Sequence, residues 1–174
     1  MAYDAFLKID GIDGESLDSK HKNWVDVLSF SWGVSQPSSG SGQFTGHVVP
    51  EDFSFFHAVD KASPKLMLAC AEGDPISTIQ VSFRKAGTGG GGIDYLKYSF
   101  FDVFVSSVHP GGQSRAVQLK LEDALPMEEV SFNYGKVQIA YQPQDRSGKS
   151  NGDLVQVSLD FEGFGTAAGA VRKR

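Results

Sequence analysis

Apolar and polar positions alternate with a period of two along most of the chain, the repeat of strands with one buried face. From Tyr3 to Asp10, Tyr3, Ala5, Leu7 and Ile9 alternate with Asp4, Phe6, Lys8 and Asp10, which predicts a first strand. Trp24 to Val34 predicts a stronger one. Asp26, Leu28, Phe30, Trp32 and Val34 share one parity, mostly a core face, and Val25, Val27, Ser29, Ser31 and Gly33 share the other. That second face turns small and polar from Ser29 onward. His47 to Val59 resumes an extended pattern, with Pro50 marking an edge or a bend. Ile76 to Lys85 is expected to pair with the aromatic-rich Ile93 to Val108 across the hairpin tip Gly87 to Gly92. Ala116 to Leu121, Met127 to Tyr141 and Leu154 to Phe161 read as further strands. In Met127 to Tyr141, Val130, Phe132 and Tyr134 share one parity and Val137, Ile139 and Tyr141 the other, so a bulge near Gly135 is expected to restore a common face.

One stretch breaks this rhythm. Ser63 as N-cap, Pro64 at the first helical position and Gly73 as the stop predict a short helix around Pro64 to Ala71. Leu66, Met67, Leu68, Ala69, Cys70 and Ala71 make it apolar nearly all round, so its leucines are expected to be buried at one end of the sheets. Between strands, Gln36 to Gly46 is rich in Ser, Gly and Gln and cannot pack a core. It predicts a long exposed excursion.

Composition fits β structure: Gly is 20 and Phe 13 of 174 residues, the turn former and the aromatic of pleated faces. The length predicts one domain over residues 1–174, with about 162–174 a flexible tail. A net charge of −5 argues against nucleic-acid binding, which needs a basic face to neutralise phosphates. The longest apolar run, Leu66 to Ala71, is far short of the ~20 residues of a membrane-spanning helix, so no membrane insertion is expected. The N-terminus, Met1-Ala2-Tyr3-Asp4, lacks the basic and then apolar pattern of a secretory signal, so a Sec route is not expected. A single cysteine, Cys70, leaves no internal disulfide framework.

Candidate chemistry is sparse. His21, His47, His57 and His109 form no local pair with metal-ligand spacing, so neither metal nor cofactor is expected. Ser16, Asp18 and His21 can be written as a triad, but they share one polar turn with no nucleophile elbow. The Gly87 to Gly92 run is followed by Ile93-Asp94-Tyr95 in a strand pattern and lacks the Lys-Ser/Thr and helix of a phosphate loop. Glu128 and Glu129 are adjacent, so in a strand they face opposite sides and cannot act as a pair. No catalytic residues are assigned, and the chain is not expected to be an enzyme.

Six segments carry a resemblance. Asp4-Ala5-Phe6-Leu7-Lys8-Ile9, Gly14-Glu15-Ser16, Ser29-Phe30-Ser31-Trp32-Gly33-Val34-Ser35-Gln36, Lys61-Ala62-Ser63-Pro64-Lys65-Leu66-Met67-Leu68-Ala69-Cys70, Val105-Ser106-Ser107-Val108 and Tyr141-Gln142-Pro143-Gln144 are similar to the haemolysin-coregulated protein family. These are the tube proteins of bacterial type VI secretion systems. The segments run in order through most of the chain. Val155 to Arg174 departs from the family by lacking a Gly-Trp-containing terminus.

The resemblance implies a mostly β fold, with two packed sheets forming a β-barrel, one short α-helix and an extended inter-strand loop. It implies a homohexameric ring, stacked rings of the same chain forming a hollow tube, and a spike protein, a contractile sheath and secreted effectors as partners. The tube would assemble in the bacterial cytoplasm and then be secreted without a signal peptide. On this view Ser29, Ser31 and Gly33 face the lumen and touch effectors. Gln36, Pro37, Ser38, Ser39, Gln43 and Phe44 belong to a loop reaching a neighbouring ring or subunit. Two alternatives share the β pattern: a monomeric ligand-binding β-sandwich with an aromatic platform, and a contractile-phage-like tail tube protein.

Overall fold

Ten strands and one helix account for the residues described by the computed structural model, which are 3–37, 48–85, 92–112, 126–145 and 148–161. In chain order they are β1 (Tyr3–Ile9), β2 (Val25–Val27), β3 (Ser29–Ser31), β4 (Val34–Ser35), β5 (Val49–Pro50), β6 (Phe53–Ala58), α1 (Ser63–Glu72), β7 (Pro75–Lys85), β8 (Asp94–Gly111), β9 (Met127–Tyr141) and β10 (Val155–Asp160). The expected strand Ala116 to Leu121, the hairpin tip Gly87 to Gly91 and the tail 162–174 lie outside the described residues.

An antiparallel sheet runs β2-β1-β7-β8-β9-β6-β3, with β10 added on β9. Its two edges, β2 and β3, are successive pieces of one chain segment separated only by Leu28. One half pairs with β1 (Ala5 opposite Val27) and the other with β6 (Phe30 opposite Phe55). The sheet therefore curls until its first and last strands are covalently continuous, which makes a barrel-like closure and removes an exposed edge. The two expected layers are the two sides of this curled sheet. A separate two-stranded sheet, β4 with β5, projects beside it.

The corner at Leu28 corrects the expected face assignment of Trp24 to Val34. Val25 and Val27 are buried, Asp26 and Leu28 are exposed, and only from Phe30 onward does the even parity turn inward. One residue spent on changing partners flips every side chain after it. At the second corner the expected flip of inward parity near Gly135 is found, but no bulge produces it, because β8 and β9 each spend one residue there. The shift of register between these strands falls instead between Val105 and Ser107. Val130, Phe132 and Tyr134 point inward before it and Val137 after it, while Asp102 on β8 takes a left-handed φ of 55°. Phe100 and then Val103 and Val105 are buried on either side of Asp102, so the two strands turn together. Their register stays unbroken there, with Phe101 opposite Lys136 and Val103 opposite Tyr134.

The core is aromatic. Phe53, Phe55, Phe100 and Phe132 are fully buried, with Phe53 5.1 Å from both Phe100 and Phe132. Offset and edge-on contacts at these spacings add to the area that the rings bury. The helix is shorter on burial than expected. Leu66 is 1% exposed, but Leu68 is 54% exposed, and Met67 also faces solvent. A helix lying against a curved sheet buries one stripe, here Ala62, Leu66 and Ala69, at i, i+4 and i+7. Its N-cap is Ala62, not Ser63. Asp60 supplies the local fastening instead, its carboxylate accepting the Ala62 N–H at 2.8 Å, while the Ser63 hydroxyl accepts the Asp60 N–H at 3.1 Å. At the other end Gly73 has φ 70° and donates its N–H to the Ala69 carbonyl, the left-handed stop expected of glycine.

Candidate functional site

Because Phe53 and Phe55 point into the barrel, Ser54 between them points out, and Ser131 does the same between Val130 and Phe132. Register places these residues side by side. Ser31 on β3 is opposite Ser54 on β6, Ser54 is opposite Ser131 on β9, and Ser131 is opposite Ser107 on β8. The result is a row of hydroxyls crossing four neighbouring strands on the outer face of the barrel. Ser54 Oγ and Ser131 Oγ are 2.7 Å apart, so they share a hydrogen bond and hold each other in the plane of the row.

The row above it contains Ser29, Phe56, Glu129 and His109. On the other side Asp52 accepts hydrogen bonds from Ser106 Oγ at 2.6 Å and from Asn133 Nδ2 at 3.1 Å. Ser29 and Ser31 are exposed as expected. Gly33 lies past the end of β3 and is partly buried, and a Cβ there would stand 3.1 Å from a Glu51 carboxylate oxygen. The face is thus broader than the three residues singled out from the sequence. It presents hydroxyls together with the Asn133 amide, His109 and the carboxylates of Asp52 and Glu129, with two exposed aromatics, Phe56 and Phe104, at its margins.

The β4–β5 arm leaves this face at its edge. Trp32 Nε1 donates to the Tyr134 hydroxyl, which donates onward to the Glu51 carbonyl at 3.2 Å. Glu51 N–H donates to the Gly33 carbonyl at 3.0 Å, so both legs of the arm are tied to β9. Burial pushes the ionisation of Tyr134 up, opposed by the Trp32 hydrogen bond, and the group stays a neutral donor and acceptor. Of the expected contact loop, Gln36 and Pro37 are exposed just beyond β4, while Ser38, Ser39, Gln43 and Phe44 lie outside the described residues.

Two buried ionisable clusters lie elsewhere. His57 and Glu128 face each other inside the barrel, Nε2 to Oε1 2.7 Å, and Glu129 points to the opposite face, as adjacency requires. The other cluster sits on the outside of β1, under the turn 14–24. His21 Nδ1 is 2.9 Å from Asp18 and its Nε2 is 3.0 Å from Asp94, while its ring stacks on Phe6 at 4.1 Å. Arg84 grips Asp18 at 2.6 Å and lies over the Phe6 ring. That guanidinium holds the Asp18 carboxyl well below the usual carboxylate range, with His21 adding to the effect against the cost of burial.

The arrangement does not make Ser16, Asp18 and His21 a triad. A general-base histidine needs one ring nitrogen turned to the nucleophile, and here both face carboxylates. The cluster's chemistry is structural: it staples the turn 14–24 to β1, β7 and β8. Gly14 fits the same purpose, since a Cβ there would lie 2.4 Å from the Trp24 carbonyl oxygen.

Several residues on this face and in these clusters escaped sequence reasoning. Ser54 and Ser131 carried a usable signal, because each alternates with buried apolar neighbours, whereas Ser107, between Ser106 and the half-buried Val108, did not. Asp94 and Glu128 carried none, since their histidines are 73 and 71 positions away and meet them only through strand pairing.

Comparison with known proteins brings these features together. Residues 6–141 match the sequence model of the family described as type VI secretion system effector, Hcp. Protein hcp1 of Pseudomonas aeruginosa is 40% identical over 159 residues, covering 90% of this chain and 93% of the relative. The crystal structure of Hcp1 from Salmonella typhimurium superposes with a TM-score of 0.73 at 37% identity, covering 93% of this chain and 96% of that one. A structure of a type six secretion system protein superposes with a TM-score of 0.82 at 29% identity, covering 94% and 98%. A type VI secretion system effector from Yersinia pestis has a TM-score of 0.69 at 34% identity, with 90% and 99% covered.

Proposed function

The chain belongs to the Hcp family of the type VI secretion system and is a structural component of its tube, and from that premise we propose how its faces are used. The protomer works by assembly and carriage, without bond chemistry. Six copies close into a ring, rings stack into a hollow tube, and the tube is built in the bacterial cytoplasm, capped by a spike protein and driven out by a contractile sheath. Ring closure is a heterologous contact that completes a rotation, and stacking is a second, open contact that continues as a filament. No helix among the described residues is long and apolar enough to cross a membrane.

The observation that carries the proposal is the outer row Ser31, Ser54, Ser131 and Ser107. We assign this face, with Ser29 and Gly33, to the lumen. Apolar side chains would retain cargo, and dense charge would sort it by sign. Hydroxyls offer both donor and acceptor, each net bond contributing about 0.5–1.5 kcal/mol, which permits loading and release. We assign the arm and the loop Gln36 to Gly46 to contact with a neighbouring subunit or ring.

Ser31→Gln tests the assignment. Ser31 is exposed at the edge of the row, so the variant is expected to keep the ring mass and to lose co-purifying effector by crowding the passage. Unchanged effector retention removes this face from the cargo surface, and loss of the ring places Ser31 in a packed interface.

A further inference from the structure

Asn151 and Gly152 form the only Asn-Gly step in the chain and lie in the loop that leads into β10. Both residues are exposed. Gly152 holds a φ of 115°, backbone that a side chain disfavours, so glycine is the residue that fits there. The loop around this step is fastened. The Asn151 N–H donates to the Pro143 carbonyl at 2.8 Å, and Gln142 Nε2 donates to Ser150 Oγ at 2.7 Å and to the Gly152 carbonyl at 2.9 Å. These bonds use the outer groups of the step and leave the inner ones. Among the described residues, the Asn151 side-chain amide and the Gly152 N–H have no hydrogen-bond partner.

The other steps of related chemistry are engaged. Asn23 precedes Trp24, whose N–H donates to the His21 carbonyl at 3.0 Å. Asn133 lies within β9, donates its amide to Asp52 at 3.1 Å and is followed by the bulky, buried Tyr134. The Asp13-Gly14 step has its Gly14 N–H on the Asn23 carbonyl at 2.8 Å, and at Asp10-Gly11 the carboxylate accepts from Ser77. An ionised carboxylate is also a poor electrophile, whereas a neutral amide carbon is open to attack. Asn151 alone combines a free amide, a free neighbouring N–H and a neighbour with no Cβ to obstruct the approach.

We propose that Asn151 is a site of self-catalysed deamidation, with the Gly152 nitrogen as the nucleophile and water as the only co-reactant. The Gly152 nitrogen attacks Asn151 Cγ and gives its proton to water. The new N–C bond closes a five-membered succinimide, and the bond from Cγ to Nδ2 breaks to release ammonia. Water then adds to one of the two ring carbonyls. Opening at the side-chain carbonyl leaves Asp, and opening at the main-chain carbonyl leaves isoaspartate, whose backbone runs through Cβ. In sum an amide and water become a carboxylic acid and ammonia, with nothing oxidised or reduced. Each event adds one negative charge to a protomer of net charge −5. The isoaspartate form also lengthens the backbone just before Val155, which opens the β9–β10 ladder opposite Tyr141.

The test stores the folded full-length protein in warm, mildly alkaline buffer and weighs its peptides at intervals, beside a digest made at zero time. The peptide carrying Asn151 is expected to gain about 1 Da, as a mixture of Asp and isoaspartate forms. The aged protein is expected to elute later on anion exchange, in step with that gain. Peptides carrying Asn23 and Asn133 are expected to keep their mass. Asn151→Gln, whose side chain would have to close a larger and slower ring, is expected to lose both the gain and the acidic species. Because this exposed change leaves Gly152 in place, it does not disturb the left-handed backbone there. Unchanged mass at Asn151 in the folded protein overturns the site, whatever a urea-denatured sample shows. A gain already complete at zero time assigns the change to digestion and overturns it too. Equal gains at Asn23 or Asn133, or an acidic species that persists in Asn151→Gln, overturn the selectivity for this step.

Discussion

Replacing Leu66 and Leu68 by alanine, one at a time, tests how the helix sits on the barrel. Each change removes the same atoms, about three methylene equivalents, and burying each such group is worth ~0.8 kcal/mol. Leu66 is 1% exposed, so Leu66→Ala loses that full transfer contribution, and the cavity left under the helix adds to it. The expected cost is about 3–4 kcal/mol. Leu68 is 54% exposed and leaves no closed cavity, so Leu68→Ala is expected to cost about 1 kcal/mol. Guanidinium titrations followed by circular dichroism measure the difference, all at one protein concentration because assembly adds stability by mass action. Equal losses would show that both faces of the helix are covered. A loss below about 1.5 kcal/mol for Leu66→Ala would show that the helix does not pack on the core at all.

Two further outcomes follow from the stapled turn. Asp18→Asn is expected to destabilise the protein by about 2–3 kcal/mol at neutral pH, since charge-assisted bonds to Arg84 and His21 are lost, as read by thermal or denaturant melts. Arg84 lowers the Asp18 carboxyl in the folded state, so this contribution is fully present above the usual carboxylate range and disappears as pH falls through the folded value. The wild type and Asp18→Asn should therefore converge in stability in strong acid, and a gap that persists there would contradict the ion-pair account. Gly14→Ala is expected to disturb the same turn, because its Cβ would meet backbone at 2.4 Å. A melt unchanged within about 0.5 kcal/mol would show that the turn adapts freely.

What could be read from the chain depended on whether one strand alone carried the signal. β1, the β7–β8 hairpin, β9 and β10 show clear alternation, and the opposed parities of Val130/Phe132/Tyr134 and Val137/Ile139 announced the corner at Gly135. The corner at Leu28 was masked because Leu28 is apolar. It kept Asp26, Leu28, Phe30 and Trp32 in an apparently continuous face, although the strand changes partner there. The helix was legible in its proline and glycine boundaries but not in its burial, since an all-apolar sequence does not say which stripe meets the sheet. Ser29 and Ser31 were visible as an odd polar face. Their continuation through Ser54, Ser131 and Ser107, and the pairings of His21 with Asp94 and His57 with Glu128, depend on register across strands distant in sequence.

The central claim is that this chain builds a tube from rings of itself, and the native mass of the purified full-length protein tests it most directly. Measured by native mass spectrometry or light scattering at micromolar concentration in ordinary buffer, the account predicts a species of six times the 18.8 kDa protomer mass. A monomer under those conditions would contradict it.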